Sequence, residues 1–412
     1  MFQRDLDEEK KQRTNGKEHT AKALSAAWWG VVVLFLAHGL VVASWLSRIP
    51  AVQRALHLNN GVLGLTLLSS ALGAVTTIQI SGYLVSRFGS KIVSIASGAA
   101  FCFSLILPAL AFNAVSLAAA LFVYGAVAAA MDVSMNAQGV EVEKQLGQPT
   151  MSRFHAMFSL GAMGGAAMGG WAAAHGMSPL PHLTVSCFVN LLAVLAIAPT
   201  LIREQEHSDN KEHRLPLNKI PKVLVALSAI GFFILLSEGA MADWTAIYLQ
   251  QILHAGQGMA AAGYSVFSGA MAVFRLVGDF ITARFGPLRT VRGACLVAAA
   301  GVLCALAAQT PTWSLPGFAL AGIGLSVIIP LVFGAGGHLP GISPGAGIAT
   351  VTGLGYIGFI VGPPTIGFAS QAFTLRYALG FVVLCCLLAA WLAGFMRELE
   401  AKKVKDNTIV KV

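Results

Sequence analysis

The stretch Gly82-Tyr83-Leu84-Val85-Ser86-Arg87-Phe88-Gly89-Ser90-Lys91 is a short basic turn between two long apolar runs, and its centre, Arg87-Phe88-Gly89, returns as Arg284-Phe285-Gly286. The interval is 197 residues (284 − 87). The same interval separates Gly125 from Gly322, Gly139 from Gly336, and Gly161, Gly165 and Gly170 from Gly358, Gly362 and Gly367. In a chain with 44 glycines a single match carries little weight. Agreement of several sites on one offset points to an internal duplication.

Outward from that turn the sequence is apolar almost throughout. Of its 412 residues 56% are hydrophobic and 11% charged, whereas a soluble domain carries about 25% charged residues. Twelve apolar runs approach the ~20 residues that a bilayer-spanning helix needs. They cover roughly 28–47, 61–85, 91–111, 114–138, 152–173, 182–201, 223–247, 259–282, 290–309, 314–335, 347–369 and 376–396. Runs this long and continuous exclude a closed barrel and predict an all-α membrane protein with twelve transmembrane helices in two six-helix, pseudo-symmetric bundles. The predicted plan is a polar tail (1–27), a first bundle (28–201), a polar linker (202–222), a second bundle (223–396) and a short tail (397–412). No cleavable signal peptide is visible, because the first apolar run is long enough to span.

The net charge of +9 is a topological signal rather than a nucleic-acid one. With both termini on one side, that side collects the tails, the linker and the turns holding Arg87, Lys91, Lys144, Arg153, Arg284, Arg289 and Arg292. The other side holds only Arg48, Arg54 and Arg376. The positive-inside rule then predicts cytoplasmic termini. The six cysteines lie within apolar stretches without metal-ligand spacing, and read as small packing residues.

Within the predicted spans stand Asp132, Glu238, Asp243, Arg275 and Asp279. A charge there costs several kcal/mol unless it faces a polar cavity or a partner, so such residues mark ion, proton or substrate paths. Asp132 and Glu238 are suited to carrying protons; a structural carboxylate, pinned by Asn136 one turn beyond Asp132 or capping a break at Gly239, is the competing reading. His38-Gly39 before Trp45 rhymes with Glu238-Gly239 before Trp244, which would set His38 opposite Glu238. A histidine titrates near neutrality and can share proton traffic or bind a polar solute. His155 is expected near a span terminus. Asp243 with Trp244 reads as an outer gate or interfacial anchor, and Arg48 as interfacial. Arg275 and Asp279, one turn apart, are expected to pair, either as plain structure or as an inner gate. No nucleophile–base arrangement, nucleotide loop, metal cluster or redox cysteine pair is apparent, so neither an enzyme nor a cofactor is predicted, and an ion gradient is the expected energy source.

Twelve spans in two halves, with the Gly82–Lys91 turn, resemble the major facilitator superfamily over roughly residues 28–396. The family's Gly, Asp, Arg and Gly fall at Gly82, Ser86, Arg87 and Gly89; Ser86 replaces the usual Asp, so the N-half charge relay is not carried over intact. Arg87 and Arg284 remain gate candidates with Asp243, Arg275 and Asp279. More narrowly, Ser47-Arg48-Ile49-Pro50, Asp132-Val133-Ser134-Met135-Asn136 with Gln138-Gly139, and Glu238-Gly239 with Asp243-Trp244 resemble the YbjJ-type branch of bacterial inner-membrane carriers related to fucose permease. That resemblance implies alternating access, a monomer in the inner membrane, and proton-coupled movement of a small polar organic solute, with protonation at Asp132 and Glu238. Candidates to line the path are His38, Trp45, Asn136 and Gln138. The fifth span lacks the proline of the superfamily's exporters, which disfavours a drug–proton antiporter. Tails of about 27 and 16 residues disfavour a sensor or scaffold.

Overall fold

The computed structural model describes residues 2–203, 221–339 and 342–397. The linker core 204–220 and the tail 398–412 lie outside the described residues. Apolar runs of this length must satisfy their backbone polar groups within the segment, and they fold as helices; the described residues contain no strand. In chain order the helices are α1 (Phe2–Leu46), the short α2 (Ile49–Ala55), α3 (Asn60–Phe88), α4 (Ser90–Ser104), α5 (Ala114–Leu146), α6 (Met151–Ala174), α7 (Pro179–Ile197), α8 (Lys222–Gln251), α9 (Gln257–Phe285), α10 (Pro287–Ala307), α11 (Pro311–Leu325), α12 (Ile328–Gly337), α13 (Pro344–Ala372) and α14 (Leu375–Leu392). The predicted tenth span is divided at Ser326–Val327 between α11 and α12. Helical backbone also continues through the polar first residues as far as Phe2.

Among the described residues, eleven helical stretches are long and apolar enough to cross a membrane. α6 has the length, at 24 residues, but its glycines dilute its hydropathy. Those glycines serve packing. A Cβ on Gly161 would run into the Leu36 carbonyl, and one on Gly170 would meet the Gly258 carbonyl oxygen at 2.9 Å. Small residues thus let α6 lie against α1 on one side and α9 on the other, as close helix approach in membranes requires.

Local chemistry sets the helix ends. The Asn59 side chain accepts from the Val62 N–H, and Asn113 with Ser116 forms a reciprocal capping box. Gly89 and Gly286, at φ 79° and 80°, make the turns into α4 and α10 with a backbone that suits glycine.

The 197-residue interval extends to geometry. His57 and His254 are the two non-glycine residues with positive φ among those described, and they too are 197 apart (254 − 57). Gly125 packs on the Ser70 carbonyl and Gly322 on the Phe267 carbonyl, an offset of 197 on both sides of each contact. Along α1 and α8 the register differs by one. Gly161 meets Leu36 and Gly358 meets Phe232, so the offset there is 196 (232 − 36). His38 therefore corresponds to Ile234, one turn short of Glu238; the sequence rhyme between His38 and Glu238 is not the packing register.

The first half is built on packing of α1 with α6 and α7 and of α3 with α5; the second on α8 with α13 and α10 with α11. The halves meet along α6–α9 and α3–α13. One end of the molecule, here the basic face, carries the Gly89 and Gly286 turns; the opposite face carries the His57 and His254 turns. At the opposite face the halves are tied by side chains. Arg54 donates to Gln250 Oε1, Asn60 Nδ2 donates to Gln251 Oε1 at 3.1 Å, and Gln251 Nε2 reaches Asn60 Oδ1 at 3.2 Å and Gln53 Oε1 at 3.4 Å. Gly64 seats α3 against the proline pair of α13, with room for no Cβ: one would lie 2.6 Å from the Pro363 carbonyl oxygen. At the basic face Gly82, Gly345 and Gly353 have no neighbour within 4 Å of a Cβ position.

Two residues read as interfacial are buried against protein. Arg48 is 1% exposed and donates to the carbonyls of Met177 and Gly169 at the end of α6. A guanidinium there meets the negative end of the helix dipole. Trp244 is fully buried within the second half.

Candidate functional site

A belt of polar side chains crosses the apolar interior where α1, α5, α6, α8, α9 and α13 converge. Its centre is Arg275 on α9. The guanidinium reaches across the halves to α6, donating from Nη1 to Ser159 Oγ at 2.7 Å and to the His155 carbonyl at 3.2 Å, while Nε points to the Ser326 carbonyl at 3.5 Å, where α11 breaks. Of the α6–α9 hydrogen bonds among the described residues, these lie nearest the basic face; the other, from Ser265 Oγ to the Met163 carbonyl, is farther in. The predicted Arg275–Asp279 pair does not form. Asp279 is exposed on the outer flank of α9, whereas the half-buried Arg275 guanidinium takes the acceptors of the neighbouring helix.

Glu238 on α8 stands within electrostatic reach of Arg275 without bonding to it. Its Oε1 is closed off from solvent and has no hydrogen-bond partner. A buried carboxyl oxygen in that condition is costly unless a partner arrives. Tyr264, on α9, stands within electrostatic reach of Glu238, Asp243 and Arg275. Tyr356 on α13 stands within electrostatic reach of both Asp132 and Glu238. Tyr124 on α5 packs on Phe101 with its hydroxyl donating to the Val41 carbonyl at 3.5 Å, within electrostatic reach of Tyr264 and Asp243.

Asp132 is half-buried on α5 and accepts from Asn136 Nδ2 at 3.2 Å; the same amide donates to the Asp132 carbonyl at 2.8 Å. His38 is buried edge-on to Phe101 and Phe158, with centroids at 5.0 and 5.6 Å and an unpartnered Nδ1. Trp45 is buried in the apolar core of the first half. Gln138 lies outside the belt and is fully occupied. It donates to Ser90 Oγ (2.6 Å) and the Ile202 carbonyl (2.8 Å) and accepts from the Ile202 N–H (3.0 Å), tying α5 to the start of α4 and the end of the first half. Arg87 and Arg284 are exposed at the basic face; Arg87 donates to the Tyr83 hydroxyl at 2.7 Å and covers the Phe88 ring.

Sequence reading missed Tyr124, Tyr264, Tyr356 and Ser159. A signal was present for the tyrosines: the chain has only six, and in membrane proteins tyrosine gathers at the interfaces, so three in mid-span positions are out of place unless they serve a polar interior. Among the described residues no group of His, Cys, Asp and Glu is arranged to hold a metal ion. A groove of about 440 Å³ on the α6–α9 flank, lined by Ala166, Trp171, Met259 and Val266, is apolar and separate from the polar belt.

Comparison with known proteins agrees with this architecture. The sequence matches the Major Facilitator Superfamily over residues 27–342. An MFS-type transporter of Yersinia pestis, itself uncharacterized, is 33% identical over 359 residues, covering 86% of this chain and 92% of that protein. The crystal structure of a point mutant of the nucleoside transporter NupG superposes with a TM-score of 0.72 at 13% identity, covering 90% of this chain and 99% of that one. That of FucP, a superfamily transporter in the outward conformation, gives 0.61 at 18% identity, covering 89% and 98%. With the extended sequence match, the repeated helices and the polar belt between the halves, the chain belongs to the Major Facilitator Superfamily.

Proposed function

We propose that this protein is a proton-coupled secondary transporter of a small polar organic solute, sugar-like or a related metabolite, working as a symporter by alternating access. In this reading α6 completes the eleven apolar stretches to twelve spans in two six-helix bundles. The basic face is cytoplasmic, both termini lie there, and the protein acts as a monomer in the bacterial inner membrane. The lysine and arginine asymmetry supports the orientation. The side-chain bonds that tie the halves at the opposite face then support an inward-facing state.

The observation that carries the proposal is the unpartnered, solvent-shielded Glu238 Oε1 beside a guanidinium that spans the two halves. In a membrane interior a carboxyl of this kind is suited to taking up a proton in one state and releasing it in another. Asp132, held by Asn136 and sharing Tyr356 with Glu238, is the second proton site. His38, Trp45 and Asn136 remain candidates to border the path; Gln138 serves as an anchor. Asp243 and Arg275 are the gate candidates that touch the belt; Asp279, Arg87 and Arg284 are exposed and stand outside it, toward the basic face.

The test is reconstitution into liposomes containing a pH-sensitive dye. Sugars, sugar acids, nucleosides and amino acids are screened for solute-dependent proton flux, with Glu238→Gln and Asp132→Asn beside wild type. Inward proton movement with one solute, lost in Glu238→Gln, is the expected result. Solute-driven proton movement in the opposite direction would replace symport with antiport. Undiminished flux in Glu238→Gln would remove the carrying observation.

A further inference from the structure

We infer that the second half carries a binding site for the headgroup phosphate of an anionic membrane lipid, made by Arg284, Arg289 and Arg292 at the turn between α9 and α10. The inference goes beyond the transport reading and needs only that these helices lie in a bilayer. The repeat supplies its control, because the first half has the same turn without the site. Gly89 and Gly286 enter α4 and α10 at matching φ, and the exposure pattern then runs in step. Val93 and Ser94 are buried, as are Thr290 and Val291, 197 residues on. Ile92 is exposed and Ile95 half-buried on α4, where their mates Arg289 and Arg292 are both exposed on α10. Two isoleucines on the outer flank of one half are thus two guanidiniums, one turn apart, on the same flank of the other. Arg284 differs from its mate by its partner. Arg87 donates to the Tyr83 hydroxyl at 2.7 Å, but the second half has Phe280 in place of that tyrosine (280 − 83 = 197). Lys91, the remaining cation of the first-half turn, points inward and donates to the carbonyls of Leu201 at 2.9 Å and Pro199 at 3.3 Å. Arg284, Arg289 and Arg292 have no hydrogen-bond or ion-pair partner among the described residues.

Neither helix stability nor topology accounts for this arrangement. Arg289 and Arg292 stand in the first two turns of α10, at the positive end of the helix dipole, where a cation is unfavourable. The positive-inside rule asks for charge on this side of the membrane, not for its display on a membrane-facing flank. A phosphate answers both points. It is attracted to the helix end, and guanidinium forks match its oxygens bidentately. Beyond the two arginines, Gly293, Leu296, Ala300 and Leu303 continue the same face of α10 as an exposed apolar stripe, and nothing lies within 4 Å of a Cβ position on Gly293. The acyl chains of a lipid whose phosphate sits on the arginines run along that stripe; a soluble anion would gain nothing from it. Asp279 is the one carboxylate on α9 and α10. It lies five residues before Arg284, about 8 Å deeper by the helical rise, and three guanidiniums against one carboxylate leave the flank net positive.

The experiment is native mass spectrometry of the full chain in detergent, titrated with phosphatidylglycerol and, separately, with phosphatidylcholine. Wild type is expected to hold a phosphatidylglycerol more tightly than any phosphatidylcholine. Arg289→Gln combined with Arg292→Gln should weaken that binding about tenfold, as loss of hydrogen bonds to a charged group implies. Arg289→Lys combined with Arg292→Lys, which keeps charge and topology, should fall between the two, since an ammonium lacks the bidentate fork. Arg87→Gln, at the first-half equivalent of Arg284, should bind as wild type does. All three substituted positions are exposed, and an unchanged thermal midpoint without lipid shows that each variant is folded. Equal affinity of wild type for the two lipids overturns the inference, as does undiminished binding by the glutamine pair. Wild-type binding by the lysine pair would reduce the site to the general charge of this face, and a matching loss in Arg87→Gln would remove the difference between the halves; either overturns it. Displacement of the lipid by equimolar inorganic phosphate would assign the arginines to a soluble anion and overturn the lipid assignment.

Discussion

The two faces of this molecule use the same residue type to opposite ends. At the opposite face Gly64, Gly170 and Gly258 bring helices of the two halves into backbone contact, and amide side chains from α2, α3 and α8 stitch over them. At the basic face Gly82, Gly345 and Gly353 touch nothing. A helix glycine costs about 1 kcal/mol against alanine unless it gains something by being small. The first set gains contact here. The second set is without such a gain in this arrangement. Gly256 and Gly380 toward the opposite face are open as well, so it is the contacts of Gly64, Gly170 and Gly258 between the halves, rather than open glycines, that set the two faces apart.

That contrast can be broken by substitution. Gly64→Leu should give the largest effect, a destabilisation of about 3 kcal/mol, seen as a lower thermal unfolding midpoint, because even a Cβ would press on the Pro363 carbonyl. Gly82→Leu should stay within ~0.5 kcal/mol; equal losses would abolish the distinction. Next comes Gln138→Ala, expected to cost about 2 kcal/mol by orphaning buried partners, with no change in which face is open. It would show that the first half is firmly tied at the basic face even where the halves part. Gln251→Ala removes bonds to Asn60 and Gln53, worth about 1 kcal/mol. The expected readout is roughly fivefold faster thiol labelling at an engineered opposite-face cysteine, while basic-face labelling slows. Arg87→Ala, exposed and bonded only within its own turn, should shift stability by less than ~0.5 kcal/mol. A large loss there would mean that the basic face is held by contacts this arrangement lacks.

Much of the fold was legible because its physics is local. A continuous apolar run has one way to satisfy its backbone in a membrane, so the predicted span 61–85 became Asn60–Phe88, and 223–247 became Lys222–Gln251. Repetition was legible because Arg87-Phe88-Gly89 and its mate occupy a turn whose backbone angle selects glycine. The site was only half legible. Its charged members stood out as misfits, yet their pairing is tertiary. An i, i+4 rule sees Asp279 beside Arg275 and cannot see the Ser159 hydroxyl on a helix more than a hundred residues away. His38 was set against Glu238 by resemblance of letters, and a one-residue difference in register between α1 and α8 moved it to the level of Ile234. Trp244 looked interfacial by type and is buried against protein because α8 is buried along most of its length.

The stitching at the opposite face has a consequence for descent. Residue 54 is the repeat mate of 251 and residue 53 of 250, each 197 apart (251 − 54 and 250 − 53). Under exchange of the halves, the Arg54–Gln250 bond maps onto the Gln251–Gln53 bond. That is the reciprocity of an isologous dimer interface, where residue i meets j and j meets i. A two-fold axis therefore runs through this seam, as it would between two separate copies of a six-helix ancestor. Fusion freed the copies to diverge, and Arg54 facing a glutamine where its mate is Gln251 shows one contact already individualised on each side of the axis.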